Sequence, residues 1–363
     1  MHRAIELSRV FSSLRQAVIG LDNASSSIIF ANPAAKSALG FNPTGRPAKE
    51  ILPYDILSEE ATQYVCGTTI NGRAASISVV KEDAYVLFFV DFVNDKKKPS
   101  LCINRHMISS LRNSTMGIKM SADRCVARLE EGLLPSDKNI SVLYHYYYSL
   151  LRTLTQIDSA DLLERGELPF SPVSTDLVAL CTDLSGTVTQ LCEETGVNIS
   201  FITVEEELFA VVDPAKIEQL LLNLFANSLA HTVAGNNVTL TLSRSANKAI
   251  ISLDDDGTGI PQDKLVNIFC LPDDNFDDKL NQSGNGLGLY ISFGIAQLHK
   301  GVLLIESREG GGTRVRIMLP TDETPAPKFN SPETTYLHKE VSTALSGLAD
   351  VLSSQSYGPK YED

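Results

Sequence analysis

The stretch that decides the fold of this chain runs from residue 254 to residue 289. It begins with DDDGTGIP at residues 254–261 and ends with GNGLGL at residues 284–289. The residues between these glycine clusters show little regular periodicity, and a loop of that length in a compact domain is usually functional or disordered. Glycines let the backbone approach a ligand closely, and N–H groups at the start of a helix near Tyr290 favour anions. The stretch therefore predicts an aspartate and a glycine-edged flap around a phosphate-bearing ligand.

Composition limits the class of protein. A chain of 363 residues is long enough for two or three domains. The net charge of −13 argues against a general nucleic-acid surface. No apolar run approaches the ~20 residues of a membrane span, and the first residues do not form a signal peptide, so we expect a cytoplasmic protein. The scattered cysteines lack a CxxC pair and are interpreted as small buried residues rather than metal or redox sites.

Residues 14–94 are predicted to form a small α/β unit. The pattern predicts strands at 17–21, 27–30, 74–80 and 85–93, with a helix from Asn32-Pro33 to Leu39 that Gly40 closes. This order, with the string LD…IFANPAA…LG, resembles a PAS sensor domain. No Cys or His lies in a recognisable flavin or haem motif, so ligand sensing and signal relay without a cofactor both stay open.

Residues 100–167 are predicted to form a helical hairpin. Side chains that are mostly apolar recur at steps of three and four along both arms, as in a coiled coil, with Asn104 and Thr115 at the two polar positions of the first arm. The positions are Leu101, Ile108, Leu111, Ile118, Ala122, Cys125 and Leu129, then Ile140, Leu143, Tyr147, Leu150, Leu154 and Ile157. One hairpin buries two such seams poorly, whereas two hairpins make a four-helix bundle. We therefore predict a homodimer, with packing inside one chain as the alternative.

Residues 170–320 alternate helical and strand patterns. Helices are predicted at about 173–195, from Asp213-Pro214 onward and at 290–299; strands are predicted at 198–203, 209–212, 238–243, 249–253, 302–307 and 313–319. Asn223 and Asn227 share one face of the second helix because they lie four residues apart. These amides are either satisfied core groups or oxygen ligands for a metal that rides on a phosphate chain.

Together these motifs resemble the ATP-binding domain of sensor histidine kinases, and the resemblance spans residues 105–320. The motifs are QLLLNLFANS at 219–228, which is similar to the N box; DDGTGIP at 255–261 and GNGLGL at 284–289, similar to the two glycine boxes; and GGGT at 310–313. The expected fold class is therefore multidomain α/β and all-α. It combines a PAS-like α/β sensor, a helical-hairpin dimerisation bundle and an α/β sandwich ATP-binding domain of the GHKL or Bergerat type.

The resemblance implies a role for each motif residue. Asp255 would accept the adenine amino group, Asn227 would hold Mg²⁺ with help from Asn223, and the glycines would hinge the flap and cradle phosphates. The implied ATP-binding residues are Asn223, Asn227, Asp255, Gly257, Gly259, Ile260, Gly284, Gly286, Leu287, Gly288 and Thr313. The implied cofactors are ATP and Mg²⁺.

The hairpin departs from the family pattern at the phosphoacceptor. Residues 108–118 (ISSLRNSTMGI) fit the segment, but Ser109 stands at the histidine position and Ser110 at that of the following acid. A serine hydroxyl needs a general base, and no carboxylate follows Ser109. His106 is a candidate displaced acceptor or an ordinary surface histidine, and His145 on the second helix is another candidate. Asn113 matches the polar residue that the family uses there.

Further departures lie near the expected phosphates. Ala230 replaces a lysine of the N box, and Lys300 replaces a glycine in the turn after the last helix. The flap is acidic: it carries Asp273, Asp274, Asp277 and Asp278 against Lys279. These differences favour nucleotide binding over catalysis.

Three functional hypotheses follow. The first is a sensor histidine kinase homologue in two-component signalling, with ATP-dependent protein-histidine phosphorylation and relay to the receiver domain of a response regulator. The alternative is a pseudokinase or ATP-binding signalling scaffold. A regulator phosphatase is a third, since Asn113 is present although the acid is missing. The tail, residues 321–363, is expected to be partly disordered; its possible amphipathic helix packs on the body or docks a partner.

Overall fold

The computed structural model describes residues 7, 10–12, 14, 16–52, 62–70, 73–82, 84–92, 105–134, 136–265, 268–269, 286–321 and 343–357. For Arg105, His106, Gln262 and Asp263 it describes the backbone alone. These residues form an N-terminal α/β unit, a helical hairpin, a C-terminal α/β domain and a C-terminal segment.

The N-terminal unit, called the sensor unit after its predicted role, contains a five-stranded antiparallel sheet. Its elements are β1 (Ala17–Asp22), β2 (Ser27–Ala31), α1 (Pro33–Leu39), β3 (Gln63–Ile70), β4 (Arg73–Lys81) and β5 (Tyr85–Phe92), in the spatial order β2-β1-β5-β4-β3. The buried Asn32 side chain starts α1 because its Oδ1 accepts from the N–H groups of Ala35 (2.8 Å) and Val18 (3.0 Å). Gly40 ends the helix with a φ of 78°. The sequence pattern predicted all of these elements except β3.

The hairpin consists of α2 (Arg105–Glu130) and α3 (Asp137–Arg165). Helix α3 ends at the cap residue Gly166, whose φ is 68°. Small and polar groups line the space between the arms: Ser110 contacts Thr153 and Ser114 contacts Ser149, both at 3.2 Å between hydroxyl oxygens. The arms therefore meet through hydroxyl groups as well as apolar contacts.

The predicted apolar seam is only partly enclosed by the hairpin. Ile108 is 46% exposed and Leu129 is 56% exposed, although both belong to the seam of α2. Tyr147 and Leu154 of the α3 seam are each 49% exposed. Gly117 lies inside instead, because a Cβ there would come within 2.4 Å of the Tyr146 ring. A broad apolar surface thus remains outside the hairpin.

The C-terminal domain stacks helices on a five-stranded sheet. Its elements are β6 (Val173–Asp176), α4 (Leu177–Leu191), β7 (Asn198–Thr203), β8 (Phe209–Val212), α5 (Pro214–His231), β9 (Asn237–Ser245), β10 (Lys248–Asp255), α6 (Gly288–Leu298), β11 (Val302–Ser307) and β12 (Thr313–Pro320), with a helical turn at Gln262–Leu265. The sheet order is β11-β12-β10-β9-β7, and β6 pairs with β8 separately. Among the strands that the structure describes in this domain, β7 and β9 are the pair that runs parallel.

One predicted boundary in this domain was wrong. The helix expected from about residue 173 starts at Leu177, because residues 173–176 pair with β8 as strand β6. Asp176 separates the two elements: its Oδ1 accepts from the N–H groups of Val178 (3.0 Å) and Leu208 (3.1 Å). An aspartate that caps a helix ends the preceding extended segment at the same point.

The two sheets are continuous. Strand β3 of the sensor unit pairs antiparallel with β11, with Gly67 opposite Leu303 and Val65 opposite Ile305. The result is one ten-stranded sheet. No sequence pattern predicted this pairing.

The C-terminal segment, residues 343–357, packs on the body of the protein. Its buried apolar residues are Ala344, Leu345, Leu348, Ala349, Leu352 and Tyr357. Gly347 lies against Leu222 of α5, and Ser356 Oγ donates to the Leu191 carbonyl (3.2 Å) at the end of α4. Of the two predictions for the tail, packing on the body and docking of a partner, the first holds for this segment. The earlier residues of the expected amphipathic pattern, Leu337 and Val341, lie outside the described residues.

Two sequence-based expectations concern the whole chain. In the part of the chain that the structure describes, no helix is long and apolar enough to cross a membrane. Three of the cysteines, Cys66, Cys181 and Cys192, are buried, as the sequence predicted. Burial raises the pKa of the Cys181 and Cys192 thiols to about 12, so both are poor nucleophiles at neutral pH.

Candidate nucleotide-binding site

The candidate site is centred on Asp255, at the carboxyl end of β10. Oδ1 of Asp255 accepts from the backbone N–H groups of Gly257 (3.0 Å) and Thr313 (3.1 Å), and Oδ2 accepts from Ser228 Oγ (2.9 Å). Burial raises the pKa of the Asp255 carboxyl, and these hydrogen bonds oppose that shift. A carboxylate offers about four acceptor positions, so three donors fix its orientation and Oδ2 retains capacity for one more.

The glycine turn after Asp255 leaves no room for side chains. A Cβ on Gly257 would lie 2.7 Å from the His231 carbonyl oxygen, and one on Gly259 would lie 2.0 Å from the Arg308 carbonyl oxygen. Gly259 also has a φ of 66°, where glycine is strongly favoured. The N–H of Ile260 donates to Ser307 Oγ at 2.8 Å. Gly257, Gly259 and Ile260 therefore form a tight, fixed turn beside the carboxylate.

Helix α5 contributes the two asparagines that the sequence singled out. Asn223 is buried, and its Nδ2 donates to the Gly288 carbonyl at 3.4 Å, which ties α5 to the start of α6. This contact makes Asn223 a positioning group for that helix start. Asn227, one turn further along, is half-buried, and its side chain forms no hydrogen bond with the residues that the structure describes. Its amide oxygen is thus free to act as a ligand.

The second glycine cluster places the start of α6 near these groups. Gly286 has a φ of 71° and is exposed, Leu287 is buried, and the helix begins at Gly288. The first N–H groups of a helix lack intrahelical partners and favour anions. The described residues do not include Gly284. They also do not include the flap residues Asp273, Asp274, Asp277, Asp278 and Lys279.

The described residues fit an adenine nucleotide with a divalent cation. The remaining acceptor capacity of Asp255 suits an exocyclic amino group, and the start of α6 suits phosphate. Among the described residues there is no group of three or more His, Cys, Asp or Glu side chains that would hold a metal ion. A magnesium ion here would therefore depend on nucleotide phosphates and water, with the Asn227 oxygen as a protein ligand.

Sequence reasoning missed several groups that shape the site. Ser228 orients Asp255, and Ser307 bridges the turn by donating to the Gly312 carbonyl at 3.0 Å. The backbone carbonyl of His231 accepts from the Thr258 N–H at 3.1 Å. Ser228 directly follows Asn227 in the sequence, so its proximity to the asparagine motif was a usable signal. The other contacts depend on strands that meet only in the folded chain.

The acceptor segment of the hairpin shows no contact, among the described residues, that would activate Ser109 as a nucleophile. Ser109 and Asn113 are exposed. The Ser109 hydroxyl forms no hydrogen bond with the described residues, whereas Ser110 contacts Thr153 (3.2 Å). The backbone of His106 is helical, but its side chain lies outside the described part. His145 is enclosed, since its ring lies 5.4 Å from the ring of Tyr357 between centroids, and burial lowers its pKa.

Comparison with known proteins relates the C-terminal domain to a family of ATPases. Residues 212–323 match the family model of the histidine kinase-, DNA gyrase B- and HSP90-like ATPases. The chain is 32% identical over 164 residues to a bacteriophytochrome of Pseudomonas aeruginosa, covering 44% of this chain and 22% of the relative. It is 32% identical over 181 residues to the adaptive-response sensory kinase SasA of Synechococcus sp., covering 46% of each chain. Among solved structures, Acinetobacter baumannii histidine kinase AdeS matches with a TM-score of 0.44 and 17% identity over 60% of this chain and 97% of that chain.

These findings define the class of the C-terminal domain: it is a domain of the histidine kinase-, DNA gyrase B- and HSP90-like ATPase family. The chain is a homologue of sensor histidine kinases. The predicted fold class, with an ATP-binding domain of the GHKL type beside helical and α/β parts, is confirmed. The chain spans less than half the length of the bacteriophytochrome and of the sensory kinase SasA.

Proposed function

We propose that the protein binds ATP with Mg²⁺ between Asp255 and the start of α6 and acts in two-component signalling. The observation that carries this proposal is the carboxylate of Asp255, which three donors from Ser228, Gly257 and Thr313 hold in one orientation. Such a fixed, partly desolvated acceptor recognises a donor that arrives with the ligand. The adenine amino group is that donor.

The residues of the pocket have distinct tasks. Asp255 Oδ2 accepts the adenine amino group, while the turn at Gly257 and Gly259 lets the base lie against backbone. The N–H groups at the start of α6, which Asn223 holds in place, bind phosphate oxygens. Asn227 supplies an amide oxygen to the metal ion. When bound, Mg²⁺ neutralises phosphate charge, and phosphoryl transfer depends mainly on such positioning and charge neutralisation.

Asp255→Asn tests the adenine contact with little change in shape. The Asn oxygen still accepts from Gly257 and Thr313, but its NH₂ group faces the adenine amino group as a second donor. By isothermal titration calorimetry we expect ATP affinity to fall tenfold or more, about 1.4 kcal/mol. The melting temperature should stay or rise, because burial disfavours the ionised carboxylate. Equal ATP affinity in both proteins would contradict the adenine assignment.

The exposed apolar side chains of the hairpin support a homodimer. Met116 is 62% exposed and Met120 is 49% exposed on α2, one turn apart. The double variant Met116→Glu/Met120→Glu should halve the mass measured by sedimentation equilibrium. Val204→Glu is the matched control, since Val204 is 89% exposed in the C-terminal domain, away from the hairpin. A monomeric wild-type protein would contradict the four-helix bundle.

Two fates of the γ-phosphate are proposed. By family resemblance the protein is a protein-histidine kinase that relays phosphate to a response-regulator receiver domain. The second candidate is an ATP-binding scaffold without autophosphorylation, which the exposed Ser109 without a hydrogen-bonded base favours. ATP binding is common to both.

Labelling with γ-labelled ATP and Mg²⁺ separates these fates. Acid-labile label that disappears in His106→Ala supports a displaced histidine acceptor. Acid-stable label that disappears in Ser109→Ala supports transfer to serine. Absence of label from a protein that still binds ATP supports the scaffold and contradicts the kinase.

The domain assignment is also part of the proposal. Residues 14–94 serve as a PAS-like sensor, 100–167 as the dimerisation hairpin and 170–320 as the ATP-binding domain, followed by the tail. The five-stranded sheet and the Asn32-capped helix support the PAS-like assignment. Expression of residues 100–320 without the sensor, with a polar substitution on β11 where β3 is removed, tests it: this fragment should still bind adenosine, with weaker affinity for ATP than the full-length chain.

A further inference from the structure

The sensor unit touches the C-terminal domain at the edge of its sheet and on helix α6. Strand β3 pairs with β11, and β11 leads directly from the turn after α6. The Nε2 of Gln297, in the last turn of α6, donates to the Thr68 carbonyl of β3 at 3.0 Å. Helix α6 is therefore held by a strand that lies 220 residues or more earlier in the chain.

The closest contact is between Gly67 and Phe293. A Cβ on Gly67 would lie 2.4 Å from Phe293 Cδ2 and 2.5 Å from its Cε2. Phe293 is 2% exposed, so its ring has no free space into which to move. Only glycine at position 67 allows this ring to lie on the strand.

Phe293 also contacts the residues before the flap. Its ring lies 5.1 Å from that of Phe269 between centroids, with 33° between the planes. Phe269 comes just before residues 270–285, and α6 begins just after them. The Phe293 ring on Gly67 thus links Phe269, inside the glycine-edged stretch, and helix α6, at its end, to β3.

We propose that β3 positions the phosphate-binding part of the site, with Gly67 and Thr68 as positioning residues that act through Phe293 and Gln297. A shift of β3 within the sensor sheet moves the start of α6 and alters affinity for the phosphates. The sensor unit thereby acts on the nucleotide directly, in addition to any route through the helical hairpin. This inference rests on the proposed binding of ATP.

The test compares ATP with adenosine on the full-length chain. Adenosine reports the contact with Asp255, whereas ATP with Mg²⁺ also reports the phosphate-binding backbone. In Gly67→Val the new methyl groups collide with Phe293, and we expect ATP affinity to fall about tenfold while adenosine affinity stays within twofold. Combining Gly67→Val with Phe293→Ala removes the collision and should restore part of the ATP affinity.

Two further variants keep the test decisive. Gly186→Val adds the same side chain on α4, where a Cβ would meet nothing within 4 Å, and should leave both affinities unchanged. Gln297→Leu removes the hydrogen bond to Thr68 without a collision and should weaken ATP binding about threefold; it decides the matter where Gly67→Val does not fold. Wild-type ATP affinity in Gln297→Leu and in folded Gly67→Val would overturn the inference. Failure of the wild-type protein to bind either ligand would instead overturn the proposed function.

Discussion

Arg152 of helix α3 lies 2.9 Å from Asp350 of the C-terminal segment, measured from Nε to Oδ2. The Arg152 side chain is 6% exposed and that of Asp350 is 17% exposed. Nη1 of Arg152 is buried without a hydrogen-bond partner among the described residues, so Asp350 is the group that balances this charge. The pair fastens the C-terminal segment to the hairpin.

Removal of this balancing charge should destabilise the protein strongly. Asp350→Asn leaves the guanidinium buried without a counter-charge, and we expect a loss of about 2–3 kcal/mol in the free energy of unfolding by urea titration. Asp123→Asn is the control, because the Lys119–Asp123 pair is exposed and such pairs contribute little. Equal losses in the two variants would show that Arg152 is solvated.

Two glycines with similar φ values allow the stability cost of backbone strain to be measured separately from that of steric collision. Gly259 and Gly310 have φ values of 66° and 73°, but only at Gly259 would a Cβ strike a backbone atom, the Arg308 carbonyl oxygen. Gly310→Ala should cost about 1 kcal/mol from the left-handed conformation alone. Gly259→Ala should cost roughly 1–3 kcal/mol more because the turn must move. Thermal unfolding measures both, and matching losses would contradict the closeness of the turn to Arg308.

Lys300 offers the opposite case, a position where glycine should stabilise. It has a φ of 56° although it carries a side chain. In the family pattern that the sequence resembles, a glycine stands at the position of Lys300. Lys300→Gly should raise the free energy of unfolding by about 0.5–1 kcal/mol. Lys300→Ala keeps the Cβ and should bring no gain; a gain from alanine would show that the lysine side chain itself is unfavourable.

Stability should fall in mild acid because of His299. Its Nε2 accepts from the Asp213 N–H (2.9 Å), its Nδ1 lies 2.8 Å from the Ile295 carbonyl oxygen, and burial lowers its pKa. The unfolded chain therefore takes up a proton below pH of about 6.5 that the folded chain resists, so stability decreases from there downward. Burial lowers the pKa of His145 too, and it adds in the same direction.

Urea midpoints between pH 7.5 and 5.5 measure this dependence. The His299→Asn variant should lose part of the slope even though it is less stable at every pH. An unchanged slope in that variant would mean that His299 titrates normally in the folded protein.

Local chemistry explains what the sequence could predict. Asn32-Pro33 and Asp213-Pro214 carry capping side chains and a proline in the first helical turn, so they mark helix starts without tertiary information. The motif around Asp255 could also be recognised from the sequence, because glycines at positions 257 and 259 indicate a tight turn without room for side chains. These signals reside within a few adjacent residues.

Contacts distant in sequence explain what it could not. Strand β3 is buried at most positions, from Tyr64 to Thr68, because the sensor core covers one face and the C-terminal domain contacts the other. Its sequence therefore lacks the alternation that marks a half-buried strand. The carboxylate partner of Arg152 likewise lies nearly 200 residues away in the chain, and no local pattern connects the two.

The pairing of β3 with β11 also affects how the C-terminal domain behaves by itself. A fragment of residues 170–320 would uncover the backbone N–H and C=O groups of β11 beside Leu303, Leu304 and Ile305, all fully buried in the intact chain. An apolar strand with an open edge pairs readily with other copies and aggregates. The sensor unit thus covers an edge of the C-terminal domain that would otherwise be open, and we expect a shortened protein to need a polar substitution on β11 in its place.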